Sequence, residues 1–360
     1  MMKSDLLSYL SNYGDKSLHE VPFNEVDALL FATLSYPKYQ DIIKDNEICD
    51  ANNILELIKE YDQSSLTDRK KLNITLLETV CSSIRFNNIK VTHYRHSINK
   101  ELSEQFQAVS FVFDEFVIVS FCGTDNTVIG LKEDLNMSYL TFTPSEIDAI
   151  KYIKDIEALY KDKRLILVGH SKGGRLAVSS AKAIENKEIL RDVYTLDSPN
   201  YSDNFYDKEY KKIEKKIHNY VPEDSIVGRL INEPKNPIIV KSHNSLIRQH
   251  DISSWIIIDN HLIISESGFS KQSSKISKTL NLNLKKYDDG TKKEFADTLF
   301  GFIDRLEIHE FKGKEENISL LKVAIKRIPE EWKKTPKNDR KLLRNILLKT
   351  IQNYFLNKEN

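Results

Sequence analysis

Ser171 sits at the centre of Gly169-His170-Ser171-Lys172-Gly173, between the apolar run Leu165–Val168 and the helix-patterned stretch GRLAVSSAKAIEN. A serine hydroxyl becomes a nucleophile when a base takes its proton, an acid orients that base and two donors await the oxyanion. G-x-S-x-G between a strand and a helix holds the serine on a sharp turn above the sheet edge. The glycines remove side chains that would clash there. The competing reading is an inert turn serine, so its partners must decide. His170 leaves the backbone in another direction and is expected to pack or hydrogen-bond at the turn.

With the chain order serine, acid, histidine, the base lies downstream. Five histidines follow: His218, His243, His250, His261 and His309. His218 falls inside the strand-like KKIHNYV, His261 follows an Asp-Asn turn, and His309 belongs to a tail helix. His250 in RQHDISSW precedes the last strand-like run and is the expected base, with His243 in the same loop as reserve. Two carboxylates compete for the acid. Asp224 directly follows KKIHNYV and is preferred; Asp197 in YTLDSPNY ends the strand one step earlier and is the alternative. Asp197 could instead hold its loop by accepting backbone N–H bonds. Asp251, next to His250, is poorly placed to orient its own neighbour.

The first oxyanion donor expected is the backbone N–H of Lys172; the lysine charge is not needed. The second belongs to an earlier strand-end loop, and SFCGTDNT supplies Gly123-Thr124. Cys122 is a rival nucleophile in name only, because it sits in an apolar strand with no cationic neighbour in sequence.

These residues need a scaffold of strand ends. QAVSFVF and FVIVSFCGT flank Asp114-Glu115 as a hairpin, and RDVYTLDSPNY, KKIHNYVPEDSIVG, NPIIVKSHN and SSWIIIDN read as further short strands. Strand–helix–strand alternation around Leu165–Leu196 argues a parallel sheet with right-handed crossovers. Thr143, Pro144 and Glu146 form a capping box before a helix. The first hundred residues read as helical, and the tail is helical again through FADTLFGFIDRLEIHEF, ISLLKVAIKRI and KLLRNILLKTIQNYFL. Between them, Glu266 to Gly290 is Ser/Lys/Asn-rich and reads as a connecting segment. The expected division is 1–265, 266–290 and 291–360.

The chain has 360 residues, 40% of them hydrophobic, with 53 basic and 53 acidic side chains, which suits a globular protein and no generic polyanion binder. Nucleic acid is therefore not an expected partner. The three cysteines are far apart, and this argues against both a metal site and a disulfide framework. No signal peptide or 18-residue apolar span is visible, so the expected location is the cytoplasm. From Glu310 to Asn360 there are 13 Lys/Arg against 7 Asp/Glu. Leu343, Ile346, Leu347, Ile351 and Tyr354 recur there at helical spacing. Such a stripe packs on its own domain or, as the weaker alternative, makes contact with an anionic membrane surface.

VSFCGTDNT…EDLNM, LVGHSKGGRLA, VPEDSIVG and QHDISSW together resemble the class 3 lipase-related α/β-hydrolases, specifically a bacterial branch called Mbeg-like. YGDKSLHEVPFNEVDALLFATLSY is similar to that branch's entry motif, and the likeness runs from about Asn12 to Trp255. The resemblance implies an α/β-hydrolase fold, with a mostly parallel sheet, a helical N-terminal segment and a helical C-terminal extension. It also implies a cofactor-free serine esterase acting on an acyl ester or lipid. It places the nucleophile on Ser171, the acid on Asp224, the base on His250 and the oxyanion threonine on Thr124. Acyl transfer with the same triad, or an inactive binding module, are the alternatives. Cys122 stands where lipase relatives carry arginine, and Leu131-Lys132 stands before Glu133-Asp134 where they often carry an aromatic. In lipases the region from Thr124 to Pro144 carries the lid. Here its Val128, Ile129, Leu131, Leu135, Met137, Tyr139, Leu140 and Phe142 would form either an apolar lid or ordinary packing.

Overall fold

Alternation within the strands decides the layering. In Leu165-Ile166-Leu167-Val168 successive side chains point to opposite faces, and all four are fully buried. Ile166 and Val168 join one apolar cluster; Leu165 and Leu167 join another on the far side. A strand buried on both faces belongs at the centre of a three-layer structure. The computed structural model describes residues 5–41, 48–61, 63–64, 66–125, 127–308 and 326–356. Its sheet runs in spatial order β1 (Cys49–Asp50), β2 (Lys90–Asn99), β3 (Glu104–Val112), β4 (Phe116–Phe121), β5 (Arg164–His170), β6 (Leu190–Leu196), β7 (Ile217–Pro222) and β8 (Pro237–Val240). β1 to β4 pair antiparallel, while β4 to β8 pair parallel.

One face is covered from the N-terminal side by α1 (Asp5–Tyr13), α2 (Glu25–Thr33), α3 (Ala51–Glu60) and α4 (Asp68–Ser82). α2 is buried from Val26 to Thr33. A capping box of Asn24 and Asp27 starts it, and the buried Asp27 also receives Arg85 Nε at 2.9 Å and the Tyr9 hydroxyl at 2.8 Å. The other face carries α6 (Pro144–Leu159), α7 (Lys172–Ala183) and α8 (Lys208–Ile213), with α5 (Val128–Asn136) preceding them in the chain. α6 has the expected capping box, Thr143 with Glu146, and Pro144 at its start. The C-terminal helices are α9 (Lys271–Lys285), α10 (Asp289–Arg305), α11 (326–334) and α12 (Lys337–Leu356). A mostly parallel sheet with a strand–serine–helix turn at its centre, helices on both faces and strand-end loops on one edge is an α/β-hydrolase fold.

Two expectations change. The first hundred residues are not all helical, since β2 occupies Lys90–Asn99. Its polar composition and a register shift between Thr92 and Arg95, where His93 has φ 53°, break the strand alternation. The stretch 266–290 is not a bare connector, since α9 fills most of it and buries a polar face of Ser273, Ser277, Thr279, Asn281 and Asn283. His309 and residues 318–325 of the expected tail helix lie outside the described residues, as do the side chains of Leu347, Ile351 and Tyr354.

Candidate active site

β5 ends at His170, α7 begins at Lys172, and Ser171 between them takes φ 56°, ψ −130°. That region is sparsely populated for a residue with a Cβ and costs about 1–3 kcal/mol. The surroundings hold it there: Ser171 N–H donates to the Leu196 carbonyl at 2.9 Å. The flanking glycines allow the approach. A Cβ on Gly169 would meet the Gly173 carbonyl at 2.2 Å, and one on Gly173 would meet Phe121 O at 2.1 Å.

His250, delivered by the loop after β8, places Nε2 3.0 Å from Ser171 Oγ and Nδ1 2.7 Å from Asp197 Oδ2. Asp197 is fully buried at the end of β6, with φ 47°. Its Oδ1 accepts Gly228 N–H at 3.0 Å and the Ser225 hydroxyl. The preference for Asp224 is thus corrected: the carboxylate against His250 belongs to Asp197. Asp224 Oδ2 instead accepts Leu246 N–H at 3.0 Å and Gln249 Nε2 at 3.3 Å, and its own N–H donates to Gln249 Oε1. The other histidines pair elsewhere: His218 with Asp192, His243 with Asp5 and His261 with Glu25.

His170 braces His250. Burial, then the neighbouring His250 and Arg69 charges, hold its pKa well below the ordinary value, so it is neutral. Its Nε2–H donates to the His250 carbonyl at 2.8 Å, and its Nδ1 accepts the Tyr36 hydroxyl at 2.6 Å. Tyr36 also receives the Gly123 N–H. One tyrosine from the chain after α2 therefore ties the strand-end loop, the serine turn and the loop of His250 together.

The backbone N–H of Lys172 is the first of α7, and such a group has no partner within its helix. The Lys172 side chain turns away, fully buried, and donates to Gln105 O at 2.6 Å, Gln105 Oε1 at 2.7 Å and Glu133 Oε2 at 2.9 Å. Glu133, on α5, accepts Gln105 N–H and Ser145 N–H as well. Across the site, the Thr124 hydroxyl meets both oxygens of Asp134, at 2.7 and 2.8 Å; desolvation raises that carboxyl to about 6. Burial pushes the Cys122 thiol up to about 12, which removes it as a competing nucleophile at neutral pH.

Ser171 and His250 open on a cavity of about 1170 Å³. Its floor includes Thr124, Leu131 and Leu135, and its far wall comes from the C-terminal helices: Leu280 and Leu284 of α9, Phe295 of α10 and Ile346 of α12. The apolar residues between Thr124 and Pro144 divide between two roles. Leu131 and Leu135 face the cavity, while Val128 packs with Leu306 and Ile308. Lys132 pairs with Asp297 of α10 at 2.9 Å.

Residues 80–301, more than half of the chain, match the family model described as Mbeg1-like. The chain belongs to the Mbeg1-like family. No curated protein matches its sequence. Solved structures similar to this Mbeg1-like chain include a mutant form of MDLA from Penicillium cyclopium, 15% identical with a TM-score of 0.42, covering 71% of this chain and 91% of that one. The Lip2 lipase from Yarrowia lipolytica is 10% identical with a TM-score of 0.38, covering 68% and 84%. The Rhizomucor miehei lipase in a propeptide complex is 15% identical with a TM-score of 0.36, covering 61% and 69%.

Sequence reasoning did not assign roles to Tyr36, Ser225 or Gly228 in this Mbeg1-like site. Ser225 and Gly228 lie in VPEDSIVG, one and four residues after Asp224. Among the described residues no cluster of three or more His, Cys, Asp or Glu could hold a metal ion, and no helix is long and apolar enough to cross a membrane.

Proposed function

We propose that this Mbeg1-like protein is a serine hydrolase that cleaves acyl esters, with Ser171 as nucleophile, His250 as general base and Asp197 as the acid that orients it. One observation carries the reading. A strained serine at the strand–helix turn, a histidine nitrogen 3.0 Å away and a buried carboxylate 2.7 Å beyond form one continuous series.

In the proposed reaction His250 Nε2 accepts the Ser171 hydroxyl proton as Oγ attacks the ester carbonyl. Asp197, kept in place by Ser225 and Gly228, accepts the Nδ1–H and stabilises the imidazolium without taking the proton. The backbone N–H groups of Lys172 and Thr124 receive the oxyanion, a contribution of about 10²–10³ in turnover for each donor. The C–O bond breaks, the alcohol leaves with the proton from Nε2, and a water activated by the same nitrogen releases the acid. The apolar far wall suits an acyl chain. A fluorophosphonate probe tests the reading: the wild type is expected to be labelled on Ser171 and Ser171→Ala to stay unlabelled. An unlabelled wild type with no esterase activity would remove it.

A further inference from the structure

The cavity has two chemically different ends. The α9–α10–α12 end is mainly apolar, with Asn283 and Lys292 among its leucines, whereas the end beside α4 adds Lys38, Arg69 and Lys70 to the apolar Leu66 and Ile74. All three cations are exposed. Arg69 is only loosely engaged: its guanidinium lies 3.8 Å from Asp251 and 5.6 Å from the centroid of the Tyr36 ring. Lys292, the fourth cation of the lining, is taken by Ser138 O and Asp289. The two carboxylates that line the same cavity are occupied on the oxyanion side, Asp134 by Thr124 and Asp125 by Thr127.

The position of these cations relative to the base gives the direction of the substrate. The leaving alcohol must lie against His250 Nε2, because that atom returns the proton to it. Arg69 is on this side, paired with the residue that follows His250 and set over the tyrosine that bonds His170. An anionic group meeting Arg69 from the side of His250 then belongs to the alcohol. The acyl chain then takes the apolar end.

We infer that the substrate is an acyl ester whose leaving alcohol carries a phosphate close to the ester oxygen, as in an acyl-glycerophosphate, with Arg69, Lys70 and Lys38 receiving the phosphate. This inference rests on the serine hydrolase reading and assigns the second end of its site. Arginine suits the task, since its planar fork matches phosphate oxygens and its bond to Asp251 is long enough to yield.

The test compares monooleoylglycerol phosphate with monooleoylglycerol, which differ by the phosphate alone, and with oleoyl-CoA, whose phosphates lie farther from the acyl group. The expected kcat/KM ratio of phosphorylated to neutral glycerol ester is about tenfold or more at low salt. It shrinks in about 1 M salt, where the Debye length is about 3 Å. Arg69→Gln lowers that ratio about tenfold, and Lys70→Gln and Lys38→Gln about threefold each. Using the ratio cancels any general loss from a perturbed site, and the two lysines are exposed enough to be replaced without unfolding. A wild-type ratio near one, or a ratio untouched by all three substitutions, overturns the inference while leaving the hydrolase reading in place. Faster cleavage of oleoyl-CoA than of both glycerol esters overturns the glycerophosphate assignment. Failure of probe labelling together with failure on every ester overturns both.

Discussion

Asp197 and Asp224 end neighbouring parallel strands, yet the two carboxylates have different surroundings. Asp197 is fully buried, turned inward at φ 47°, and shares its oxygens among His250, Ser225 and Gly228. Asp224 is half-buried and organises the loop that carries His250, through Leu246 and Gln249. One carboxylate orients the imidazole, and the other shapes the chain that delivers it. Position at a strand end does not settle which carboxylate meets His250. Closure of the next loop does, and here the loop after β7 wraps its Ser225 and Gly228 around the acid of β6.

This contrast can be broken by substitution. Asp197→Asn should cost about 10⁴ in kcat on an acyl ester, because the amide favours the wrong imidazole tautomer. Gly228→Ala tests the wrapping loop: its Cβ would meet Asp197 Oδ1 at 2.4 Å, so the carboxylate must shift. A loss of about 10² in kcat is expected, with Asp224 and its contacts unchanged. Asp224→Asn should lower kcat about threefold or less and destabilise the protein by about 1 kcal/mol through weakened bonds to Leu246 and Gln249. Steady-state kinetics and denaturant melts read all three. A larger kcat loss for Asp224→Asn than for Asp197→Asn would reverse the assignment.

What was legible in the sequence follows what each element buries. β3 to β7 and α7 announce themselves through apolar runs and the glycine spacing around Ser171, and α6 through its capping box. Chain order singles out His250, the histidine that lies 3.0 Å from Ser171 Oγ. β2 was hidden by its polar residues and its bulge, and α9 because its buried face is Ser, Thr and Asn. Ser273, Ser277 and Asn281 make hydrogen bonds to Arg229 or to the chain around it, and no hydrophobic periodicity records such a surface. Asp197 was misranked for a related reason. Its partners are a backbone N–H, a hydroxyl and a histidine brought in by three different loops, a convergence that spacing along one chain does not display. Tyr36 lay inside a stretch that read as helix and carried no sign of its bond to His170.

The pair formed by Lys172 and Glu133 limits how the cavity can open. Lifting α5 away from the sheet would strip Lys172 of its carboxylate partner inside a dry interior, at a cost of about 3–5 kcal/mol. A conformer with α5 raised would then make up about one part in 10² to 10⁴ of the population. The joint between α5 and α10 that Lys132 and Asp297 span is half open to solvent, and exposed pairs of this kind contribute about 1 kcal/mol or less. The same joint also holds Val128 against Leu306 and Ile308, and Lys292 on the Ser138 carbonyl. α5 is thus tied to the helix after Ser171 by a buried pair and to α10 by a partly exposed one.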